Sequence, residues 1–313
     1  MSEKTLHITN GSILTSILKE LDYSGDILTW EEMLCEGPTM STINSDTFLK
    51  KRASFFNSYY DIELDIKEIK GELKVLDNTE KYDKIILWFE YDLFCHLNLL
   101  AVIKLLDQKK VELPLYLVCS GRIEGEKNLK GLSELSPVQL NKHFSEKIKI
   151  TSEDIELVKS IWNIYCGKDH NLLKPYIVKS SSFKYLNNCL KAHLKRFPDS
   201  KSGLNVLEQN LLEIIKDTNI KSKNQLLGYA LNYQGYYGYS DIQFNRIINK
   251  LSLFINFDEK GLSLNRKGHE ALLGQHNFAY ELNNNITFGG VNKLDFHFNK
   301  QENKLIKTIP NAH

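Results

Sequence analysis

The chain has 313 residues, 42% of them hydrophobic and 25% charged, with a net charge of +1; this is apolar material for a sizeable core and, at about 100 to 200 residues per domain, for two domains. Near-neutrality removes any global field for nucleic acid or an anionic membrane, and no run of about 18 apolar residues exists to span a bilayer. Cys35, Cys95, Cys119, Cys166 and Cys189 are odd in number and without C-x-x-C spacing, which argues against a disulfide framework or zinc knuckle; as MSEKTLHITNG has no apolar signal core, a cytoplasmic protein with reduced thiols is expected.

The first half alternates strand and helix signals, the pattern of a parallel sheet. Residues 5–9 read as a strand, and Asn10, Gly11 and Ser12 turn it into a helix with Leu14, Ile17, Leu18 and Leu21 on one face. Residues 27–30 form a second strand, followed by the loop Cys35, Glu36, Gly37, Pro38 and a helix through Phe48, Leu49, Arg52, Phe55, Phe56 and Tyr59. The segment 84–108, KIILWFEYDLFCHLNLLAVIKLLDQ, is the most informative. Ile85 to Phe89 make an unbroken apolar run that suits a strand covered on both faces, and Glu90 and Asp92 follow at its carboxyl end, where open α/β sheets bind ligands. A fourth strand over 115–119 ends in Cys119, Ser120 and Gly121.

From about residue 122 helices take over. Ser136 and Pro137 open one; Ser152 opens another with Ile155, Val158, Ile161, Trp162 and Tyr165 as its stripe; a basic helix through Lys184, Lys191, His193, Lys195 and Arg196 stops at Pro198. The sequence DSKSG at 199–203 is the best linker candidate. Beyond it come three helices, near 205–216, 223–231 and 241–251, and a hairpin around Asp258, Glu259, Lys260 and Gly261, the order of a winged helix. The expected organisation is a Rossmann-like α/β domain over 1–121 with a small parallel sheet, a helical extension over 122–198, a winged-helix-like domain over 203–275 and a C-terminal tail segment over 276–313.

Each candidate side chain has a structural reading beside its functional one. Ser12 and Asp92 precede helices and suit caps, yet Asn10, Gly11 and Ser12 also suit an anion held at a helix N-terminus. Glu90, partly desolvated at a strand tip, would have a pKa raised toward acid/base use unless a cation compensates. His96 falls one turn after Asp92 and could join a metal or proton-transfer site, although no complete metal-ligand spacing surrounds it; His7 reads as a core residue more readily than as a ligand. Cys119 and Ser120 lie at a strand tip without the G-x-S-x-G elbow of a catalytic triad. Gln243, Asn245, Arg246, Asn249 and Lys250 could read bases, but balanced charge over 203–275 speaks against DNA and for protein contact or domain packing.

The blocks LHITNGS, ILTWEEMLCEGP, LWFEYDLFCHLNL, GLSELSP, LKAHLKRFPDSKSGLNVLEQNLL, LSLNRKGHEALLG and ITFGGV resemble, in order, those of the bacterial family called domain of unknown function 1835, a family without a settled activity that a second C-terminal domain of unknown function often accompanies. The resemblance adds weight to His7, Asn10, Gly11, Glu36, Gly37, Pro38, Trp88, Glu90, Asp92 and the stretch 193–198. The chain departs from the commoner pattern at Ser12, Tyr91 and Cys35, where the family has an acid, a histidine and a histidine; if catalysis depends on all three, this member is impaired.

The leading expectation is a phosphorylated or nucleotide-like small molecule bound between the first and third strands for hydrolysis or transfer. Asn10, Gly11 and Ser12 would hold the anion, Glu36, Glu90 and Asp92 would supply acid/base or hydroxyl-binding groups, and His7 and His96 would stand behind them. The rival is a regulator whose winged helix contacts DNA or a protein. No cofactor, metal or oligomeric state is specified by the sequence.

Overall fold

The computed structural model describes residues 4–308. Strand β1 (Thr5–Asn10) enters helix α1 (Ser12–Glu20) through Gly11, whose φ of +92° suits glycine. The expected Ser12 cap does not form: Gly11 holds the cap position, no side chain caps α1, and Ser12 is already helical. Strand β2 (Asp26–Trp30) is followed by a buried loop, the two-residue β3 (Gly37–Pro38), α2 (Asp46–Tyr60) and α3 (Ile66–Glu72). Strand β4 (Lys84–Trp88) leads into α4 (Leu93–Gln108), β5 (Leu115–Val118), α5 (Pro137–Ser145) and β6 (Ile148–Lys149).

These strands form one sheet in the order β2-β1-β4-β5-β6, parallel except for the antiparallel edge β6. Pairing of Asn10 with Trp30, Thr9 with Trp88, and Trp88 with Val118 brings the strands to a common end, so the tips at Asn10, Glu90 and Cys119 line one edge, as the apolar run implied. Ile85 to Phe89 are fully buried. Alternation sends Ile86 and Trp88 toward Leu14 and Leu18 of α1 and Leu140 of α5, and Ile85, Leu87 and Phe89 toward α4; each such side chain contributes about 1.5 to 3 kcal/mol of burial. Helix α4 buries twelve of its sixteen residues because it lies between the sheet and two further helices, α6 (Ser152–Tyr165) and, after α7 (Lys174–Ile177), α8 (Leu186–Leu194).

The second half continues through α9 (Val206–Asp217), α10 (Lys223–Asn232), α11 (Asp241–Lys250), the hairpin β7 (Ile255–Asp258) and β8 (Gly261–Leu264), α12 (Arg266–Leu272) and α13 (Ala279–Leu282). Short strands β9 (Thr287–Gly289), β10 (Val291–Asn292), β11 (Phe296–Asn299) and β12 (Lys304–Lys307) close the described chain. The class is mixed α/β, with a parallel-dominated central sheet and thirteen α-helices among the described residues. No helix among them is long and apolar enough to cross a membrane.

Two expectations from sequence change. The DSKSG segment is a packed turn instead of an open linker: the Asp199 carboxylate accepts from the amides of Lys201 and Ser202, and a Cβ on Gly203 would fall 2.2 Å from the Ala279 nitrogen. The same Asp, Ser and Gly residues that signal a linker also make tight hydrogen-bonded turns. The supposed tail is woven into the fold, since β9 pairs with β3 and Phe288, Phe298 and Leu305 are buried; its residues 309–313 lie outside the described ones. In the basic helix, Lys184, Lys191 and Lys195 are exposed, while His193 and Arg196 are turned inward and buried.

A buried ion pair fastens this C-terminal part. Lys293 Nζ lies 2.6 Å from Glu208 Oε1, which also accepts from Asn284 Nδ2 at 2.5 Å, and none of the three reaches solvent appreciably. Glu208→Gln should cost about 3 to 5 kcal/mol in urea denaturation because it strands a buried ammonium, whereas the double variant Glu208→Leu/Lys293→Met should recover most of that loss. A single-variant loss below about 1 kcal/mol would mean that Lys293 finds water instead.

Candidate active site

The site is built where β4 hands over to α4. Strand alternation turns Glu90 to the same side as Ile86 and Trp88, where it meets the turn Gly131–Glu134. The Ser133 amide donates to Glu90 Oε1 at 3.3 Å, and a Cβ on Gly131 would sit 2.6 Å from both carboxylate oxygens, so glycine is what admits the acid. Asp92 caps α4, accepting the Cys95 amide at 2.8 Å. It is covered by the loop 233–239: Gly238, at φ +66°, lies so close that a Cβ would fall 2.2 Å from the Asp92 carboxyl. The same loop supplies the carbonyls of Tyr236 and Tyr237 to the amides of Leu93 and Phe94, so the first turn of α4 is saturated by protein.

Burial sets the electrostatics. It pushes Glu90 up to about 7, with the Asp92 charge adding to the shift and the Ser133 and Leu132 amides opposing it. Asp92 is pushed up to about 6 by burial against its hydrogen bonds from Cys95. Near neutral pH the two carboxyls therefore titrate as a coupled pair. The Cys95 thiol joins them: one ligand atom from each of Glu90, Asp92 and Cys95 lies within 4.8 Å of the others. Burial holds this thiol protonated, so a divalent cation would have to displace its proton to use all three ligands.

The remaining sequence candidates separate. Asn10 Nδ2 donates to Cys95 Sγ at 3.1 Å and its Oδ1 accepts from Asn98 at 2.8 Å, so Asn10 positions the cluster and its side chain is already used. Gly11 has open space where a Cβ would be, and Ser12 is exposed at the start of α1. His96 is buried one turn along α4; its Nδ1 donates to the Asp92 carbonyl at 3.0 Å, Nε2 has no partner, and burial lowers its pKa to about 4. His7 is remote from this chemistry. Its Nε2 bonds the Ser24 carbonyl, its Nδ1 accepts from Trp88 Nε1 at 2.9 Å, and burial keeps it neutral among Tyr23, Trp88 and Phe144.

Glu36 is also withdrawn from the acid pair. It is buried against Arg246, 3.0 Å away, and accepts from the Tyr60 hydroxyl. Burial works against its charge, but Arg246 and that hydrogen bond hold its carboxyl below the ordinary range, which leaves it a fixed anion instead of a proton-exchanging group. Cys119 is no activated nucleophile either, since burial and the nearby Asp92 raise its pKa. Sequence reasoning missed Cys95, Gly131 and Gly238. Cys95 was legible at three residues after Asp92, a same-face spacing; the glycine-tyrosine run 233–239 signalled an unusual loop but not its target.

No protein-family model matches the chain, and no curated protein matches it.

Because the folded pKa of Glu90 lies near 7 and its unfolded value near 4.3, the native state retains an extra proton between those limits. That stabilisation is full below about pH 4 and fades as pH rises through about 7. Glu90→Gln stays neutral throughout and should lose the decline, exceeding the wild type by about 1 to 3 kcal/mol near pH 8 in denaturant melts. Identical pH slopes for the two proteins would show that Glu90 ionises as freely as in water.

Proposed function

We propose that the protein binds a phosphorylated or nucleotide-like small molecule in the crevice between the tips of β1 and β4 and acts on it as a hydrolase or transferase. Glu90 and Asp92 exchange the proton. The observation that carries this reading is the coupled carboxyl pair at the sheet edge, with Glu90 titrating near 7, where a general acid or base is most effective at neutral pH. The strand order supports it, because the chain runs outward from β1 to β2 and then crosses back to β4, and the crevice between such strands is where open α/β sheets take ligands. The first amides of α1, uncapped by any side chain and next to open space at Gly11, favour an anion there. Two ionised carboxylates would repel a phosphate. The proton that Glu90 retains, or a divalent cation on Glu90, Asp92 and Cys95, removes that repulsion.

In the same reading the unit from α9 to β8 is a winged helix used for packing. Its helix α11 turns Gln243 and Arg246 toward Cys35 and Glu36, leaving Asn245, Asn249 and Lys250 outside. The ordered sequence blocks support membership of the domain of unknown function 1835 family, and five free cysteines suit a cytoplasmic setting.

A thermal-shift screen with nucleotides and sugar phosphates, with and without divalent ions, tests the proposal on the wild type and Glu90→Gln. A ligand that prefers the folded state must raise its melting temperature. The expected result is a saturable rise in the wild type that Glu90→Gln, folded and at least as stable, loses. An undiminished response in the variant would remove Glu90 from the site. Fluorescence anisotropy with duplex DNA at physiological salt should show weak binding or none; sub-micromolar binding lost in Lys250→Ala would favour the regulator.

A further inference from the structure

The cavity at the tip of β5 lies outside the Glu90–Asp92 pair, neither of which lines it, and encloses about 560 Å³ between β5, α5 and the chain leading into α8. That volume is in the range of small-molecule sites. Its floor is held rigidly. Gly121 adopts φ +148° against the Tyr185 ring, where a Cβ would lie 2.4 Å from that ring, and the Arg122 amide donates to the Tyr185 hydroxyl at 2.8 Å.

Two residues lining this cavity from different elements each carry a buried polar atom with no partner among the described residues. Ser120 at the strand tip is 1% exposed, yet its Oγ has no hydrogen-bond partner, and neither has the buried Nε2 of His143 on α5. An unsatisfied buried polar group costs about 1 to 3 kcal/mol, and a ligand bonding to it restores that loss. Arg122, Lys142 and Lys184 stand around the same space with no ion pair to a carboxylate among the described residues, Arg122 donating to the Lys127 carbonyl and Lys184 lying over the Tyr185 ring, and Glu124 and Glu146 line the space too. The balance is positive by one charge. Ile123 and the Tyr185 ring add an apolar wall.

We propose that this cavity binds the oxyanion of a small molecule with an apolar body, a phosphate ester or a carboxylate. Lys142 and Lys184 supply charge, and Ser120 and His143 supply the directed hydrogen bonds. The hydroxyl of Ser120 donates to the oxyanion, as does neutral His143 through Nε2–H. The site is independent of the acid/base reading of Glu90.

Isothermal titration of the full chain with inorganic phosphate, phenyl phosphate and benzoate tests it. Saturable binding of phenyl phosphate or benzoate, tighter than that of inorganic phosphate, is expected, and the stronger of the two identifies the oxyanion. Lys142→Ala/Lys184→Ala, which alters only exposed side chains, should weaken binding by about tenfold or more. Ser120→Ala should weaken it severalfold. Absence of saturable binding by all three probes, or affinity untouched by the double lysine variant, would overturn the proposal. Binding lost in Glu90→Gln but kept in the double lysine variant would overturn it too, by moving the anion to the neighbouring crevice.

Discussion

The loop joining β2 to β3 is buried, and its peptide carbonyls have no strand or helix to pair with; satisfying them is the constraint on which the rest of the molecule depends. Two buried arginines do most of it. Arg52 donates to the carbonyls of Glu36 at 2.7 Å and Met33 at 2.9 Å while its charge meets Glu32, and Arg196 donates to the Cys35 carbonyl at 2.5 Å. The Tyr165 hydroxyl takes the Leu34 carbonyl at 2.8 Å. Gly37, at φ +86°, lies so near Arg52 that a Cβ would fall 2.4 Å from Nη1, so the loop and the guanidinium exist in this arrangement only with glycine there. These donors come from α2, α6 and the end of α8, and Arg246 of α11 reaches Glu36 in the same loop, which makes a short connection the point where both halves of the chain meet.

The demand of that loop reaches the acid pair through Asn98. Its Oδ1 accepts the Leu34 amide, and its Nδ2 donates to the Glu32 carbonyl and to Asn10, which in turn holds Cys95. From the other side, the carbonyls of Tyr236 and Tyr237 take the place that an anion would occupy at the start of α4. Asp92 thus loses solvent without gaining a cation. Its raised pKa, and that of Glu90 beside it, follow from this enclosure.

Arg196 also orders the histidines. Its Nη2 donates to His193 Nδ1 at 2.5 Å, so His193 must donate through Nε2 to His170 Nδ1 at 2.8 Å, and His170 through Nε2 to the Tyr165 carbonyl at 2.9 Å. Burial, reinforced by the guanidinium, keeps both imidazoles neutral. One permanent cation therefore sets the tautomers of two residues, and the Arg196 guanidinium also stacks over Phe288 at 4.0 Å, fastening β9.

Much of the sheet was legible because its signals are local. The apolar run at Ile85 to Phe89 needs cover on both faces wherever it lies, and an acid that ends such a run, or Asp92 three residues before Cys95, announces a strand tip and a helix cap from neighbours in sequence alone. What no local pattern carries is which distant group meets a polar side chain. Glu36 in its loop and Glu90 at a strand end read alike as acid/base candidates, yet Arg246 reaches the first and holds it ionised, while amides, the Ser133 hydroxyl and another acid reach the second and no cation offsets its burial. Likewise, nothing local in the basic stretch 184–196 signals that the buried carbonyl of Cys35 takes the Arg196 guanidinium. The sequence by itself determined the parallel sheet, its helices and the edge where acids gather, since burial and hydrogen bonding within an element depend on residue type and spacing. Tertiary structure alone decided which acids keep their protons, because a pKa is set by the charges and dipoles brought from elsewhere in the chain.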